Sequence, residues 1–549
     1  MGGKKRMLAK KGSKGKITPS GSVKHHFQDY CASTSIHGVK YLGEEERPLA
    51  ERIWWLLVFI ICLSGNFFLI GKVWIKWHES PVIVSFAETT TPVWQVPFPA
   101  VTLCSETKSR STLFNFTDAV NRNLTEEIDG EMFNKMSDVS LLCDNHVIVE
   151  NGSLTTNEST IEFLFEVAPP FEDTVHICKW KGPATQNCSH LFTPIITDEG
   201  VCFSFNMLPT VELFRGQGIP YFEDNGYRTE GWTLEGGYPP DAPLDTYPHR
   251  ALTAGAKAGL IFVMKAMWKD ADYYCKGPVQ GFRVLLHNPA EVPSVGERYL
   301  RAPLRQEIVA SIQPKIMTTS KGLRSYSPDR RQCYFPSERY LAHFKVYTQR
   351  NCELECLTNY TLKKCGCVGL HMPRSESVKI CGGGSKECML EANDLLRRYE
   401  IESSYKETKQ ETCDCLPACT SIQYDAETSQ ADFEVENVFR SYNDNLTEIV
   451  GSSMARVSVF FKDMQFTTSR RSELFGLVDF LANCGGLLGL FCGVSLLSLV
   501  EIIYYVTLRL WGNMKATKKT SSNEADIEAE LSKHVNFNSI ASSKLVHED

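Results

Sequence analysis

Residues 481–505, LANCGGLLGLFCGVSLLSLVEIIYY, form an apolar run of membrane length that carries four glycines and a carboxylate. Glycine inside a helix costs about 1 kcal/mol relative to alanine. An ionisable side chain at the centre of a bilayer costs roughly 3 kcal/mol or more. A simple membrane anchor has no use for either feature. The run therefore predicts a segment that lines a path through the membrane.

Another apolar run lies earlier in the chain. Residues 53–71 are 19 residues without a charge, enough to cross a hydrocarbon core of roughly 30 Å as one helix. This run begins only at residue 53 and is followed by no small-residue cleavage site, and both observations argue against a signal peptide.

In the run that contains residues 481–505, Arg471 and Arg509 bracket 37 residues without Lys or Arg. One helix of that length would span roughly 55 Å, so either its outer part projects above the membrane or the helix is interrupted.

Charge, cysteines and glycosylation sequons orient the two predicted spans. Residues 1–52 hold 11 Lys or Arg against 5 Asp or Glu, which predicts a cytosolic N-terminus. Two spans return the C-terminus to the same side and leave the intervening residues outside. Sixteen of the 20 cysteines lie between the spans, as expected in an oxidising compartment. All seven N-x-S/T sequons lie there too, at Asn115, Asn123, Asn151, Asn157, Asn187, Asn359 and Asn445.

These signals divide the chain into five segments. We expect a cytosolic segment at 1–52, a transmembrane helix at 53–76, an extracellular cysteine-rich domain at 77–473, a transmembrane helix with the pore at 474–511, and a cytosolic tail at 512–549.

Secondary structure can be predicted at four places in the outer segment. Residues 81–86 and 455–461 are strand-like, and both begin near the membrane, so we expect them to pair in one sheet. Residues 337–360 and 389–406 predict helices.

These helices enclose a cluster of ten cysteines whose pairing cannot be derived from spacing. Zinc is the rival interpretation of two C-x-C motifs in this cluster, Cys365-Gly-Cys367 and Cys413-Asp-Cys415. That spacing is tighter than in most zinc sites, and the compartment favours disulfides. We therefore predict disulfides, with no metal site and no cofactor.

The glycines of the later run allow two interpretations. Gly485, Gly489 and Gly493 are spaced i,i+4 and would share one helix face. Such a face can serve close helix packing. Alternatively, the glycines allow an extended or sharply bent backbone whose carbonyls face a water-filled path, with the same face continuing through Ser495, Ser498 and Glu501.

Charge favours cations as the permeant species. The chain carries −7 in total, of which residues 1–52 contribute +6 and residues 509–549 contribute zero, so the remainder carries −13. An acidic body above a carboxylate-lined pore concentrates cations. Two spans cannot enclose a pore, so several subunits must assemble around an axis. The predicted partners are related subunits and membrane lipids, not nucleic acid.

Four motifs occur in a distinctive order along the chain. They are Ser35-Ile-His37-Gly38, Phe98-Pro-Ala-Val-Thr-Leu-Cys104, Cys413-Asp-Cys415-Leu-Pro-Ala-Cys419, and Gly485-Gly486-x-x-Gly489-Leu-Phe-x-Gly493-Val494-Ser495 followed by Glu501. Together they resemble the degenerin/epithelial sodium channel family, which includes the acid-sensing channels, and most closely its insect pickpocket branch. The resemblance covers residues 30–511.

The resemblance implies an α+β membrane protein that assembles as a trimer. Each subunit would carry a disulfide-rich extracellular domain, with palm, β-ball, finger, thumb and knuckle, on two transmembrane helices. The disulfides implied are Cys104–Cys202, Cys178–Cys188, Cys333–Cys419, Cys352–Cys415, Cys356–Cys413, Cys365–Cys388 and Cys367–Cys381. Cys143 and Cys275 are left over and are paired only by elimination.

The resemblance also implies roles for residues of the pore. Gly493, Val494 and Ser495 would form the selectivity filter, and His37 and Gly38 would lie in a re-entrant loop that lines the lower pore. Ala482 would be a gate contact, and the pore would be lined by Asp479, Gly486, Gly489, Ser498 and Glu501. Val494 is bulkier than the Ala or Ser usual there, which leaves the degree of sodium selectivity open.

The function implied is a sodium-preferring, voltage-independent, amiloride-sensitive cation channel subunit of the plasma membrane, gated through its extracellular domain. Both termini would be cytosolic, and the subunit would form a homo- or heterotrimer. The alternative is a non-conducting or modulatory subunit of a heteromeric channel. A different class of two-span channel, the ATP-gated type, is disfavoured because its members have ten ectodomain cysteines and this chain has sixteen between its predicted spans. An enzyme is disfavoured because H-E-x-x-H, G-x-S-x-G and P-loop motifs are lacking. The gating stimulus, including any extracellular ligand, stays open.

Overall fold

A computed structural model describes residues 27–44, 47–79, 82–125, 128–216, 226–406, 413–443, 449–509 and 511–512. The chain divides into two compact units. Val82–Glu473 forms one unit, and the segments before and after it form the other. The predictions for the tails at 1–26 and 513–549 and for the sequon at Asn445 lie outside the described residues.

Nine helices of seven or more residues have named bounds in the described part of the chain. They are α1 Leu49–Glu79, α2 Phe116–Thr125, α3 Gly130–Ser140, α4 Glu158–Val167, α5 Gln349–Cys365, α6 Lys386–Lys406, α7 Val435–Ser441, α8 Leu477–Cys492 and α9 Leu496–Tyr504. A further helix covers residues 27–33. Shorter helices are Lys40–Gly43, Phe171–Thr174, Thr210–Leu213, Tyr273–Lys276 and Pro328–Arg331. The 3₁₀ turns are Val93–Gln95, Ser189–Leu191, Ala256–Ala258, Trp268–Asp270, Lys321–Ser325 and Gly383–Ser385, and Tyr505–Arg509 is a π-helical turn.

The strands all belong to the Val82–Glu473 unit. They are β1 Val82–Phe86, β2 Thr91–Pro92, β3 Ala100–Ser105, β4 Thr155–Thr156, β5 Val175–Lys179, β6 Phe192–Thr197, β7 Gly200–Phe205, β8 Leu260–Met267, β9 Phe282–His287, β10 Leu300–Ala302, β11 Gln306–Thr319, β12 Ile380–Cys381, β13 Ser421–Asp432, β14 Ser452–Phe461, β15 Gln465–Phe466 and β16 Ser469–Glu473.

Helix α1 is long and apolar enough to cross a membrane. It has 31 residues and extends beyond the predicted 53–76 at both ends. The later run is not one helix. Leu477–Cys492 and Leu496–Arg509 pass the same test only as a pair, bent by 69°. Of the two outcomes that the sequence left open, the structure therefore shows an interrupted helix.

The largest sheet has seven strands in the described residues, in the order β1-β16-β11-β14-β8-β5, with β13 also paired to β11. β1 pairs antiparallel with β16, so that Val82 lies opposite Glu473. The predicted strands at 81–86 and 455–461 share this sheet, but the prediction that they pair directly is wrong, because β16 and β11 lie between them. Strand β16 has the polar sequence SRRSE, which lacks the apolar alternation that predicts a strand.

A five-stranded sheet, β10-β9-β3-β7-β6, packs face to face on the larger sheet. Four phenylalanines fill the space between them and are fully buried: Phe98, Phe205, Phe262 and Phe461. The Phe98 ring meets Phe461 and Phe205 edge-on, with centroids 5.4 Å and 6.1 Å apart. Burial of each such ring contributes about 2 kcal/mol, so this core holds the two sheets together.

Helices α5 and α6 carry part of the cysteine cluster, and Cys352 and Leu354 of α5 are buried in a separate core. The predicted helix at 389–406 lies within α6, but the prediction at 337–360 is wrong before residue 349, where α5 begins. Thr348 caps α5, its hydroxyl accepting from the Asn351 amide. The segment before it pairs with residues 213–215 instead, since the Arg215 amide donates to the His343 carbonyl and the Lys345 amide donates to the Leu213 carbonyl, both at 2.8 Å.

Sixteen described cysteines form eight disulfides, all in the Val82–Glu473 unit. They pair the same cysteines that the resemblance implies, and Cys143 pairs with Cys275: Cys104–Cys202, Cys143–Cys275, Cys178–Cys188, Cys333–Cys419, Cys352–Cys415, Cys356–Cys413, Cys365–Cys388 and Cys367–Cys381. Cys31, Cys62, Cys484 and Cys492 are free thiols in the other unit.

Candidate functional site

The second apolar segment breaks at Gly493. Helix α8 ends at Cys492, and Gly493 has φ 66°, the left-handed conformation that glycine adopts without a Cβ penalty. The amides of Gly493 and Val494 donate to the carbonyls of Gly489 and Leu488, at 2.9 Å and 3.2 Å, which closes the last turn. The chain then passes through Val494 in non-helical form.

Ser495 starts the second half of the segment. It is the N-cap of α9: its Oγ accepts from the Ser498 amide at 3.3 Å, while the Ser495 amide donates to Ser498 Oγ at 3.1 Å. This reciprocal pair satisfies two amides that the helix start would otherwise leave open. Gly493-Val494-Ser495 is therefore a defined link between two helices.

The predicted continuous polar face does not exist, because the helix is broken. Gly485, Gly486 and Gly489 lie on α8, whereas Ser498 and Glu501 lie on α9. A Cβ added at Gly485 or Gly486 would meet no atom within 4 Å, and at Gly489 the nearest atom is the Val494 carbonyl oxygen at 4.0 Å. Within this chain these glycines therefore do not serve close helix packing.

The segment before α1 folds back onto the break. The His37 amide donates to the Cys492 carbonyl at 2.9 Å, and the His37 ring lies directly against Gly493. Gly38 follows with φ 85°, a left-handed turn that reverses the chain. The two halves of the predicted His-Gly motif thus have separate tasks, since His37 makes the contact and Gly38 makes the turn.

Hydrogen bonds connect the segment before α1 to side chains of α9 and of the turn that follows it. Ser35 Oγ lies 2.7 Å from Ser498 Oγ, and it donates to Glu501 Oε2 at 3.1 Å. Farther along, Ser33 Oγ lies 2.6 Å from the Tyr505 hydroxyl. We call this set the N-terminal latch: Asp29, Ser33, Ser35, Ser498, Glu501, Tyr505 and Arg509, where Arg509 donates to Asp29 at 2.8 Å.

The remaining predicted pore residues lie elsewhere on α8. Asp479, in its first turn, accepts from the Gly476 amide at 3.0 Å and so caps the helix. Ala482 is exposed one turn later. The structure thus brings His37, Gly493 and Ser495 to one place and leaves Asp479 and Ala482 at the other end of α8.

Four of the seven latch residues were not predicted from the sequence. Ser33 and Tyr505 have no motif signal, and Asp29 and Arg509 are separated by 480 positions. Ser35 lay within a quoted motif but without an assigned role, whereas Ser498 and Glu501 were predicted to line the pore. Among the described residues, no group of three or more His, Cys, Asp or Glu side chains could hold a metal ion.

Comparison with known proteins identifies the family to which this chain belongs. Residues 30–505 match the family model described as amiloride-sensitive sodium channel. The chain belongs to the amiloride-sensitive sodium channel family. The match includes the break at Gly493, the His37 loop and the whole Val82–Glu473 unit.

Individual members of this sodium channel family align over most of their length. Pickpocket protein 28 of Drosophila melanogaster is 31% identical over 513 residues, covering 90% of this chain and 80% of that protein. Sodium channel protein Nach of Drosophila melanogaster is 24% identical, covering 92% of each chain. Acid-sensing ion channel 2 of Rattus norvegicus is 23% identical, covering 90% of this chain and 87% of that protein.

Membership in the sodium channel family defines the general activity. Its members are ion channels of the plasma membrane, not enzymes, and they assemble as multimers of related subunits. The insect pickpocket resemblance agrees with the similarity to Pickpocket protein 28.

Proposed function

We propose that this chain is a pore-forming subunit of a sodium-preferring, voltage-independent, amiloride-sensitive cation channel, with its filter at Gly493-Val494-Ser495. One observation carries the proposal. An apolar segment of membrane length is interrupted by three non-helical residues whose ends are capped on both sides. Irregular backbone at membrane depth is tolerated only where it is buried in protein or lines a water-filled cavity.

The break supplies the groups that a cation needs. A helix leaves its last four carbonyls without an intrahelical donor. At the end of α8, the Gly489 carbonyl accepts from Gly493 and the Cys492 carbonyl accepts from His37. The carbonyls of Leu490 and Phe491 would therefore be available to replace water around a permeant Na⁺. Ser495 would add a hydroxyl. Glu501, one helical turn beyond Ser498, would attract cations to the inner mouth.

The assembly and topology follow from the number of spans. Two spans per subunit do not enclose a pore, so we propose a homo- or heterotrimer around a central axis. Segments 53–76 and 474–511 would cross the plasma membrane, 1–52 and 512–549 would be cytosolic, and 77–473 would be extracellular. The sequons at Asn115, Asn123, Asn151, Asn157, Asn187 and Asn359 support this orientation, because all six are exposed on the Val82–Glu473 unit.

Gating would reach both spans through two hydrogen-bonded strands. β1 begins three residues after α1 ends, and β16 ends four residues before α8 begins. Because β1 and β16 pair along their whole length, a displacement of their sheet pulls on both connections at once. Ala482 would then separate from its counterparts in the other subunits as the pore opens.

Expression of the chain alone in oocytes tests the proposal. Replacement of Na⁺ by Li⁺ or K⁺ measures selectivity, and a voltage protocol with amiloride measures block. Ala482→Val should increase the constitutive current, because a larger side chain opposes close packing in the shut state. Absence of an amiloride-blocked current from both proteins, despite surface expression, would contradict a homomeric channel. Current that appears only on co-expression with a related subunit would indicate a heterotrimer, and unchanged selectivity after Ser495→Ala in that heterotrimer would then support the modulatory role.

A further inference from the structure

An open hollow lies where the start of α2 meets the turn before the short helix Tyr273–Lys276. Its volume is about 570 Å³. Residues of both segments line it: Ser109, Ser111, Phe114, Asn115, Thr117, Asp118, Asn121, Lys269, Asp270, Ala271, Asp272, Tyr273 and Tyr274. One of these residues, Asn115, belongs to a glycosylation sequon, Asn115-Phe116-Thr117.

The orientation of Asn115 is set by the helix. Its Oδ1 accepts from the Asp118 amide at 3.0 Å, which makes it the N-cap of α2. This bond fixes the plane of the side-chain amide. Nδ2, the atom to which an N-linked sugar is attached, makes no hydrogen bond with the described residues. The sugar would therefore leave the helix start from a fixed direction, beside the hollow.

Two aromatic rings give the hollow the character of a sugar site. Tyr273 and Tyr274 are 58% and 45% exposed, although neighbouring Cys275 is buried. Phe116, fully buried, supports the Tyr274 ring from behind, with centroids 6.2 Å apart. An exposed tyrosine offers an apolar face and a polar tip, which suits the carbon–hydrogen face and the hydroxyls of a pyranose.

Acceptors for sugar hydroxyls stand beside the rings. Asp270 is held through Oδ1, which accepts from the Ser111 amide and hydroxyl at 2.9 Å and 2.7 Å. Asp272 Oδ1 accepts from the Thr117 hydroxyl at 2.7 Å and from the amides of Tyr274 and Cys275. Oδ2 of each carboxylate carries no hydrogen bond from the described residues and keeps its capacity to accept.

We infer that this hollow seats the innermost N-acetylglucosamine of a glycan on Asn115. The pyranose would lie against Tyr273 and Tyr274, and its hydroxyls would donate to Asp270 and Asp272. A concave site with aromatic walls and a few fixed polar groups is the usual form of a small-ligand pocket. The inference depends on the proposed function in one respect, since glycosylation requires that residues 77–473 be extracellular.

The chain contains a matched control for this site. Asn157 is also an exposed sequon residue and also an N-cap, its side chain accepting from the Ser159 amide at 2.9 Å. It does not line the hollow. Asn123, on the same helix α2 as the sequon of Asn115, does not line it either. A sugar on Asn157 or Asn123 should therefore project freely into solvent.

Native deglycosylation of the full-length protein from insect cells tests the inference. Peptide:N-glycosidase F cleaves the bond between Asn and the innermost sugar, and glycopeptide mass spectrometry follows each site separately. Because cleavage of a transiently opened state tracks its population, we expect release from Asn115 to be roughly fivefold or more slower than from Asn157. The double variant Tyr273→Ala, Tyr274→Ala should remove the difference. Tyr442→Ala, an exposed tyrosine outside the hollow, should leave it unchanged.

Each possible result supports or overturns the inference that the hollow binds the innermost sugar on Asn115. Equal release rates at Asn115 and Asn157 in the unaltered protein would overturn the inference, as would an unoccupied Asn115 beside an occupied Asn157. If the double variant does not fold, the comparison of sites in the unaltered protein still decides. If none of the sequons carries a glycan, the extracellular assignment of residues 77–473 fails, and the inference that the hollow holds a sugar on Asn115 fails with it.

Discussion

The ring of His37 and the backbone of Gly493 lie in direct contact, so that a Cβ added at Gly493 would stand 2.6 Å from the ring Cγ and Nδ1. Gly493 also has φ 66°, where an L side chain is strained. Two separate constraints, one steric and one conformational, therefore require glycine at this position. The contact joins the loop before the first span to the break in the second.

Gly493→Ala should abolish most of the current without removing the protein from the membrane. The left-handed conformation costs alanine about 1–2 kcal/mol, and the His37 ring must move as well. Gly485→Ala is the control, because a Cβ there meets nothing within 4 Å. Current normalised to surface protein measures the effect. Equal currents in the two variants would contradict the contact.

Ser495→Ala should change ion selectivity, whereas Ser495→Thr should retain more of it. Threonine keeps the hydroxyl that caps α9, and loss of such a cap costs about 1 kcal/mol. Reversal potentials in Na⁺, Li⁺ and K⁺ check the prediction. An unchanged selectivity sequence in a conducting Ser495→Ala channel would show that the filter lies elsewhere.

Ser35→Ala and Glu501→Gln should be energetically coupled in gating. Ser35 donates to Glu501 through its hydroxyl, and residues in one hydrogen-bond network show interaction energies of about 0.5–3 kcal/mol. A double-mutant cycle on open probability measures the coupling. Thr507→Val with Glu501→Gln is the control pair, because Thr507 lies outside the latch and its hydroxyl donates to the Ile503 carbonyl. Additive effects for Ser35 and Glu501 would count against the latch.

His287 should make the Val82–Glu473 unit less stable in acid. Burial lowers the pKa of His287 to about 4. Nδ1 lies 3.0 Å from the Asn288 carbonyl and must donate to it, so neutral Nε2 accepts from Thr102. The unfolded chain binds a proton below its ordinary pKa of 6.5, and the folded chain does so only below about 4. Stability from this group is therefore present above pH 6.5 and is lost as the pH falls to 4.

The test compares the purified protein with its His287→Gln variant. Between pH 7.5 and pH 4.5, the unaltered protein should lose up to roughly 3 kcal/mol more than the variant. The comparison must be made between variants, because burial raises the pKa of Glu291 to about 7, and that group acts in the opposite direction. His146→Gln, at an exposed position, is the control. Parallel pH profiles for the unaltered protein and His287→Gln would refute the assignment.

Lys386→Met should lower the amount of folded protein at the cell surface. The Lys386 ammonium is buried, and its three N–H groups are shared among four carbonyl oxygens that lie 2.7–3.1 Å from Nζ: Ser140, Cys143, Asp144 and Val147. Methionine leaves them without a donor, at a cost of roughly 3 kcal/mol. Lys379→Met, at an exposed position in the same region, should have little effect. Surface biotinylation distinguishes the two, and similar yields would contradict the prediction.

Much of the architecture could be read from local composition and motifs. The charge-free residues 53–71 and the glycine-containing run at 481–505 predict membrane helices without any knowledge of the fold, because a bilayer selects for length and apolarity alone. An interruption of the later helix was one of the two outcomes left open by its length, but its position at Gly493 was not predicted. The cysteine pairs came from the resemblance and not from spacing, which leaves every pairing open.

Tertiary structure decided which segments meet. The polar strand β16 is the neighbour of β1 because its backbone pairs along the sheet edge, and backbone pairing leaves little trace in side-chain pattern. Glu501 meets Ser35 across 466 positions, and Asn115 stands beside Tyr273 only because α2 packs on a distant turn. The sequence by itself determined the two membrane segments and the cysteine-rich body between them. Only the folded chain determined that His37 lies on Gly493, since contacts between remote residues depend on packing and not on local periodicity.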